Sequence, residues 1–549
     1  MNVTSVTKSA SPDVSHAEPA TGTLRAARSP LRRRSRPLPG WALAASPVIT
    51  LAVMLWGVGA RPYWGDEADT ISAVSRSLPQ LFRLLGHIDA VHGLYYLLLW
   101  PVARIAGTGE FVTRLPSAVA MAAAAAGITA IAGRLGSRRA GLWAGLMFAA
   151  LPAVTLQGHD ARPYAAVTAA AVLASYLLVR VADDPRPPWL AAYGLSLVGV
   201  GYMQMFGLLL LPAHAVTLIG LSRRRFAAGG GAPRALVLRR WLVTAGASVV
   251  AVLPIAILGW VQRGQIAWIP RAGWSDVGSL VQMLTAGSVS AAIVIGLLCV
   301  LGMFRAGGFG AGGFGAGGVE GGGVGDGGIR GPAAEVDGGA DRGIAWLALP
   351  WLVLPPVLLL AASLIMPVYF TRYLTYCLPA VALLAGAGLA AIGWGSMGWG
   401  WAGWPRRAGA AVALGALALV VALVGPVQLA MRAQGGGMQT VSQFLSANEL
   451  PGDAIVYPEA LIPPWYLAYP EFSRLRDLSM AQSPAAAGRL FGSGVRRAVL
   501  YRREEGVRRF WIVPDAGRSP AGYIAPGFRL AREWKLRGYQ VVLLYTKTG

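Results

Sequence analysis

Two groups of acidic residues stand out because each follows a long apolar run. Asp66 and Glu67 form an adjacent pair in YWGDEADT, and Asp160 lies in QGHDARPYA. A carboxylate is costly to keep near a bilayer, which makes such residues candidates for chemistry. A carboxylate beside a hydroxyl group can remove its proton while a leaving group departs, which is general base catalysis. The structural alternatives are solvated loop acids and helix N-caps.

Other polar and aromatic residues also flank apolar runs. Arg372 is suited to bind phosphate, because its guanidinium stays protonated and can donate two parallel hydrogen bonds. Taken singly, these residues can also be satisfied histidines, aromatic-belt tryptophans or snorkelling arginines. The candidates for substrate binding are Asp89, His92, His159, Arg162, Tyr164, Gln265, Trp268, Arg372 and Tyr373.

The composition requires most of the chain to lie in lipid. Hydrophobic residues make up 55% of the 549 residues and charged residues only 13%. The formal net charge of +23 comes mainly from arginines clustered between apolar runs. That placement is typical of cytoplasmic loops and not of a nucleic-acid-binding surface. We therefore expect a multi-pass protein of the inner (plasma) membrane, with membrane lipid as a partner and no nucleic acid.

The apolar runs predict about eleven transmembrane helices, each near the ~20 residues that a bilayer requires. Arginines recur on every second loop, which predicts a cytoplasmic N-terminus and an external C-terminus. On this topology both acidic groups lie on the external face. The predicted spans are 41–60, 114–133, 141–158, 164–180, 189–206, 207–221, 241–260, 282–303, 344–365, 373–394 and 408–428.

The apolar run at 92–107 does not fit this scheme. Counting it as a span would invert every later loop and move the arginine clusters to the outside. We assign it to the first external loop as an interfacial helix, and a spanning segment remains the alternative.

Three regions are predicted along the chain. Residues 1–38 form a disordered basic cytoplasmic tail, 39–430 form the transmembrane domain, and 431–549 form a small external α/β domain. Within the second region, the Gly-rich stretch 306–343 is predicted to be a disordered cytoplasmic loop. The sequence thus predicts an α-helical polytopic membrane protein with a small α/β domain at its C-terminal end.

The C-terminal region shows the alternation of helices and strands that is typical of an α/β domain. It contains no Gly-rich phosphate loop, metal-spaced Cys and His, or GxSxG elbow, so we expect it to bind the acceptor or to stabilise the protein. A helical pattern lies around 440–447, and strand-like runs lie at 454–457, 497–501, 510–513 and 539–545.

The order and sidedness of the motifs resemble those of the C-type (GT-C) glycosyltransferase superfamily. The similarity is to bacterial members related to protein O-mannosyltransferases and lipid A aminoarabinose transferase, and it covers most of 41–430. The motifs that carry it are GDE after the first span, DAVHGLYYLLLWPVARIAG followed by TRLPS, QGHDARPY, QIAWIP and PVYFTRYLTYCLP.

The resemblance implies an inverting glycosyltransferase. Such an enzyme moves a sugar, with mannose the leading candidate, from a polyprenyl-phosphate donor to a hydroxyl group of an external glycan, lipoglycan or protein. It implies that Asp66 is the general base, that Glu67 is its companion, and that Asp160 orients substrate or helps to hold a metal. Arg372 corresponds to a position suited to the phosphate of the leaving group.

The resemblance leaves the cofactor open. This sequence does not show the pattern of metal ligands that some relatives have. Only Asp89, His92 and His159 could contribute to a metal site. No cofactor is therefore assigned, and a divalent metal ion stays an open alternative.

Two other classes of protein remain open from the sequence. One is a polytopic transporter or flippase of envelope precursors, and the other is an assembly protein that binds a partner through its external domain. Transporters often carry internal repeats and midplane charges. This sequence has no evident repeat, and its polar residues gather near the ends of the spans, which favours the enzyme.

Overall fold

The protein is described here by a computed structural model that covers residues 40–227, 232–285, 287–307, 334–392, 406–433, 437–458, 461–514, 520–537 and 540–548. Helices dominate the described chain up to residue 433. They are α1 (Gly40–Leu55), α2 (Gly65–Val74), α3 (Leu78–His87), α4 (Gly93–Ala106), α5 (Glu110–Leu135), α6 (Arg138–Ala150), α7 (Pro152–Gly158), α8 (Tyr164–Asp183), α9 (Pro187–Met203), α10 (Leu210–Ala227), α11 (Arg234–Val261), α12 (Trp274–Thr285), α13 (Val289–Gly307), α14 (Ala334–Ile365), α15 (Leu378–Ile392) and α16 (Arg406–Ala433).

The helical region has the properties of a membrane bundle. Among the described residues, seven helices are long and apolar enough to cross a membrane, or eight if the bent pair α6 and α7 forms one span. Two shorter apolar helices lie at 44–55 and 289–304. Each of the eleven predicted spans overlaps one or two helices, so the prediction of a polytopic helical membrane protein is confirmed. The number of crossings stays a prediction.

Helix α15 lies at the centre of the bundle. Its residues are buried almost without exception, whereas α11 and α16 expose many apolar side chains, as helices that face lipid do. Close packing around α15 depends on small residues: a Cβ atom at Gly388 would collide with the carbonyl oxygen of Leu298 in α13. Glycine at this crossing lets the two backbones approach, as in other membrane bundles.

Helix α4 accounts for most of the run at 92–107. Its 14 residues span about 21 Å, which is less than the ~30 Å hydrocarbon core. It packs against α2 and α5, and it buries Tyr95, Tyr96 and Leu99 in the main core. The helix is thus present, and its interfacial placement stays a prediction.

The C-terminal region combines two small sheets with four helices in its described part. The larger sheet has the order β3-β1-β6-β8-β7, with β1 parallel to β3 and β6 and with β8 antiparallel to β6 and β7. The smaller, antiparallel sheet has the order β2-β5-β4. The elements are α17 (Gly437–Asn448), β1 (Ala454–Val456), β2 (Leu461–Ile462), α18 (Trp465–Ala468), β3 (Arg476–Asp477), β4 (Met480–Gln482), α19 (Pro484–Ala487), β5 (Gly492–Gly494), α20 (Arg497–Glu505), β6 (Arg509–Ile512), β7 (Phe528–Leu536) and β8 (Gln540–Lys547).

One predicted strand in this region was wrong, and five of the observed strands were not predicted. The run at 497–501 was predicted as a strand, but it begins helix α20, because its buried residues Leu500 and Glu504 are four positions apart. Strand β7 was missed, because it lies at a sheet edge with most of its side chains exposed and therefore lacks an alternating apolar pattern.

The predicted loop at 306–343 is shorter than expected, since α13 extends to Gly307 and α14 begins at Ala334. The remaining residues of that loop, and the predicted N-terminal tail, lie outside the described residues.

The C-terminal region packs directly on α2. Tyr63, Ala68 and Ile71 belong to a hydrophobic cluster that also contains Val441 and Phe472. The backbone N–H of Tyr63 donates to the Tyr469 hydroxyl (2.7 Å). Helix α2 is therefore held between the bundle and the α/β region, and this fixes the acidic residues that it carries.

Candidate active site

A cavity of about 440 Å³ lies where the ends of several helices meet α2. The connections that follow α3, α7, α9, α11 and α14 all contribute to it, as does the C-terminal region through Leu490 and Phe491. Nine of the twelve candidate residues line it. Its polar lining residues are Asp66, Asp69, Asp89, His92, Arg162, Gln204, Arg263, Gln265 and Arg372, and its aromatic ones are Tyr164, Phe206, Trp268, Phe370, Tyr373 and Phe491.

Asp66 occupies the first turn of α2 and makes ionic contacts with two arginines. Arg372 Nη1 donates to Asp66 Oδ2 at 2.8 Å, and Arg162 Nη2 lies 3.9 Å from the same oxygen. The side chains of Asp66 and Arg372 are both partly exposed to the cavity. The arrangement places a proton acceptor beside a group that can bind an anion.

Glu67 lies outside the cavity, although it is the sequence neighbour of Asp66. Its carboxylate accepts hydrogen bonds from Arg114 Nε (2.8 Å) and Nη2 (2.6 Å), and Oε1 also accepts one from Ala161 N (2.8 Å). Glu67 and Arg114 are each 1% exposed. Consecutive helical residues point about 100° apart, so Glu67 faces the bundle while Asp66 faces the cavity.

Asp160 and His159 also lie outside the cavity lining. Asp160 Oδ1 accepts a hydrogen bond from Trp64 Nε1 (2.9 Å), and burial, followed by the nearby Glu67 carboxylate, raises the pKa of Asp160 to about 7. His159 Nε2 lies 2.6 Å from the carbonyl oxygen of Met54, and burial lowers the pKa of His159 to about 4. These contacts join α1, α2 and the connection between α7 and α8.

Asp89, His92, Tyr96 and Arg162 form a hydrogen-bonded network on one side of the cavity. His92 Nδ1 lies 2.6 Å from Asp89 Oδ1, and the Tyr96 hydroxyl donates to Asp89 Oδ2. Arg162 Nη2 lies 3.1 Å from His92 Nε2. A guanidinium can only donate, so His92 Nε2 accepts and Nδ1 carries the proton that is donated to Asp89.

Electrostatics keep Asp89 ionised within this network. Burial by itself would raise the pKa of Asp89, but the neighbouring His92 and Arg162 hold it well below its ordinary value. Its backbone has a φ of 63°, a left-handed conformation that Asp adopts more readily than most residues. Gln265 Oε1 accepts a hydrogen bond from the Asp89 backbone N–H (3.1 Å), and this contact joins the turn to the end of α11.

Aromatic side chains form another part of the cavity lining. Phe206 stacks on Tyr373 with ring centroids 5.4 Å apart, and Phe370 contacts both Tyr373 and Trp268 at 5.8 and 5.5 Å. The Arg372 guanidinium lies between the rings of Trp64 (4.5 Å) and Phe370 (4.4 Å). Cation–π contacts of this kind hold the guanidinium plane in place.

Several lining residues were not among the sequence candidates. Asp69 lies three positions after Asp66 and was detectable from the helical period. Gln204, Phe206, Arg263, Phe370 and Phe491 lie in breaks between helices or in the C-terminal region, where no local pattern marks them. Within the described parts of the chain, no three His, Cys, Asp or Glu side chains are placed to hold a metal ion.

Comparisons with known proteins found a family model that matches part of the sequence and solved structures with a similar fold. Residues 94–260 match the model of a family described as dolichyl-phosphate-mannose-protein mannosyltransferase. No curated protein sequence matches the chain significantly.

The structural similarity extends over nearly the whole chain. ArnT from Cupriavidus metallidurans in the apo state is 12% identical with a TM-score of 0.54, covering 92% of this chain and 98% of that one. The structure of the same protein bound to undecaprenyl phosphate is 13% identical with a TM-score of 0.51 and the same coverage. The resemblance inferred from the motifs is therefore confirmed at the level of the fold.

Proposed function

Because this chain has the GT-C fold of membrane glycosyltransferases, we propose that it moves a sugar from a polyprenyl-phosphate donor to an acceptor hydroxyl group, with inversion at the anomeric carbon. The structural similarity to a protein that binds undecaprenyl phosphate supports this donor class. The matching family description supports mannose as the leading sugar. We propose an external glycan, lipoglycan or protein as acceptor, reached on the outer face of the inner membrane.

The observation that carries this proposal is the pairing of Asp66 with Arg372 in the cavity. The reaction forms a bond between the acceptor oxygen and the anomeric carbon, and it breaks the bond from that carbon to the phosphate oxygen. The acceptor proton passes to the Asp66 carboxylate, and polyprenyl phosphate leaves with the bonding electrons. Charge develops at both ends of this transition state, so a base and a fixed cation are both required.

Three arginines are available for the phosphate. Arg372 and Arg162 flank Asp66, and Arg263 lines the cavity at the end of α11. The Arg263 guanidinium lies over the Trp260 ring (4.6 Å), and no acidic partner lies within ion-pair distance of it among the described residues. Arg263 therefore provides positive charge that no side chain described here neutralises.

The apolar surface beside Arg263 suits the lipid part of the donor. Trp260, Val261 and Trp268 are each more than half exposed, and all three lie at or just beyond the end of α11. A polyprenyl chain can lie against these side chains in the membrane while its phosphate contacts the arginines. The aromatic wall of Phe206, Phe370 and Tyr373 then faces the sugar ring.

Glu67 and Asp160 act, in this proposal, as positioning residues. Glu67 orients α2 through Arg114, and Asp160 holds the Trp64 ring on which Arg372 stacks. This differs from the roles that the resemblance implies, because neither carboxylate lines the cavity.

The direct test is sugar transfer by the purified protein. Polyprenyl-phosphate mannose is supplied in detergent or nanodiscs, and the release of polyprenyl phosphate is measured with envelope extract as acceptor. We expect turnover that depends on Asp66 and Arg372. Mass spectrometry of envelope glycans from deletion and wild-type strains should show the loss of a specific sugar, and identical glycans together with no turnover on any polyprenyl-phosphate sugar would refute the proposal.

A further inference from the structure

A second carboxyl group on α2 faces the cavity without a role in the proposed reaction. Asp69 follows Asp66 by three residues, and both line the cavity. The Oδ1 atom of Asp69 is buried, and no atom of the described residues donates a hydrogen bond to it. Buried carboxylate oxygens normally have donors, so Asp69 is a carboxyl group that lacks a donor and lines a cavity that can hold a molecule to supply one.

The nearby arginines do not supply the missing hydrogen-bond donor for Asp69. Arg372 donates to Asp66 Oδ2, and Arg162 Nη1 donates to the Asp66 backbone oxygen (3.2 Å). Arg162 Nη2 is in contact with His92. Both arginines therefore have other acceptors, and Asp69 remains a carboxyl group that lacks a donor from the chain.

The position of Asp69 indicates which part of the donor could reach it. Three residues of helix place it about 4.5 Å along the axis from Asp66 and on the same face. One further turn along α2, Ser72 Oγ donates to the carbonyl oxygen of Leu490 (3.1 Å), where the C-terminal region closes the cavity. Asp69 thus lies along α2 between the Asp66–Arg372 pair and that wall.

We propose that Asp69 binds a ring hydroxyl group of the transferred sugar. This inference rests on the proposed function. A carboxylate that accepts from a hydroxyl group makes a charge-assisted hydrogen bond, which is stronger than one between neutral groups.

The ionisation of Asp69 adds a second, independent readout. Burial, together with the neighbouring charges of Asp89 and Asp66, raises the pKa of Asp69 to about 7, while Arg162 opposes this rise. Asp66, Asp89, Tyr96 and Arg162 are the ionisable groups whose charges interact with Asp69, and His92 lies in contact with Asp89. Above pH 7 the carboxylate accepts a charge-assisted hydrogen bond, so donor binding should strengthen as the pH rises from 6 to 8.

The experiment compares wild type, Asp69→Asn, Asp69→Ala and the control Asp184→Asn, which changes an exposed acid between α8 and α9. The probes are polyprenyl-phosphate mannose, glucose, galactose and arabinose, followed by the monodeoxy analogues of whichever donor the wild type uses. We expect Asp69→Ala to raise the donor KM about 10- to 100-fold with a smaller change in kcat. We expect one deoxy analogue to lose affinity in the wild type and to lose nothing further in Asp69→Ala.

The outcomes separate the two proposals. If the wild type transfers no sugar from any probe, the proposed function fails. If it transfers sugar while both Asp69 variants keep the wild-type KM for every probe, or lose kcat alone, only the role of Asp69 is refuted. If Asp69→Ala does not fold, the wild-type protein alone provides the test. For one deoxy donor, the KM should no longer depend on pH between pH 6 and 8. If the KM keeps its pH dependence for all deoxy analogues, the inference is refuted.

Discussion

Arg372 Nη1 donates to Asp66 Oδ2 at 2.8 Å, so the proposed phosphate-binding cation and the proposed base are partners. A donor phosphate that binds Arg372 would compete with Asp66 for the same guanidinium. The carboxylate would then lose a donor and become a stronger proton acceptor. In the proposed reaction, the pair would therefore couple donor binding to activation of the base.

The substitution Arg372→Ala should weaken donor use more than Arg372→Lys. Lysine restores the positive charge but not the planar, bidentate donor group that stacks between Trp64 and Phe370. We expect the donor KM to rise about 10- to 100-fold in the alanine variant, the effect of losing a charge-assisted hydrogen bond. The measurement is steady-state kinetics, with Arg186→Ala as an exposed control. If both Arg372 variants keep wild-type donor kinetics, Arg372 serves only as a membrane anchor.

Loss of the Glu67 charge should reduce stability. In Glu67→Gln, the Arg114 guanidinium stays buried without a carboxylate partner, and breaking a buried ion pair typically costs about 3–5 kcal/mol. Thermal unfolding in detergent should show a lower Tm for Glu67→Gln than for Asp66→Asn, because Asp66 and its hydrogen-bonding partner Arg372 are partly exposed. Equal Tm values for the two variants would contradict the structural role of Glu67.

The sequence brings several site residues together, but it does not distinguish the positions of Asp66 and Glu67. Loops at one end of a helical bundle must share one membrane face, and this topological rule brought Asp66, Asp89 and Arg372 together from distant parts of the sequence. It could not separate Asp66 from Glu67, because both lie on the same short helix. Their difference depends on the helical phase of α2 and on the position of Arg114 in α5.

The contribution of the C-terminal region to the cavity could not be predicted from the sequence for a related reason. Phe491 and Leu490 lie in a short connection between α19 and β5, and their place in the cavity depends on how the C-terminal region packs on α2. Such packing involves residues more than 400 positions apart. Local periodicity carries no information about it.

Asp160 should make the stability of the protein depend on pH. A carboxyl group whose pKa rises from 3.8 to about 7 on folding binds more protons in the folded state. The free energy of unfolding should therefore fall as the pH increases from 4 to 7. The variant Asp160→Asn keeps an acceptor for Trp64, and in it this decrease should be smaller. Thermal unfolding across that pH range provides the measurement. If the stability of the variant depends on pH as steeply as that of the wild type, Asp160 ionises normally.

The membrane orientation can be tested by reporter fusions. The alternate placement of arginines predicts that residue 135 is inside and that residue 161 and the C-terminus are outside. Fusions after these positions should show cytoplasmic, external and external activity, respectively. A cytoplasmic signal at residue 161 would place the cavity on the wrong side for an external acceptor.

Turnover of the Asp66→Asn variant tests the central claim most directly. Asparagine preserves the size and polarity of the side chain but cannot accept the proton of the acceptor hydroxyl group. Sugar transfer and donor binding are measured in parallel on the purified variant, with Glu67→Gln as the matched neighbour. We predict that donor binding is retained while turnover falls by about 10²–10⁴, the typical contribution of a general base. Near-normal turnover in Asp66→Asn, or a collapse seen only in Glu67→Gln, would contradict the assignment of Asp66 as the base.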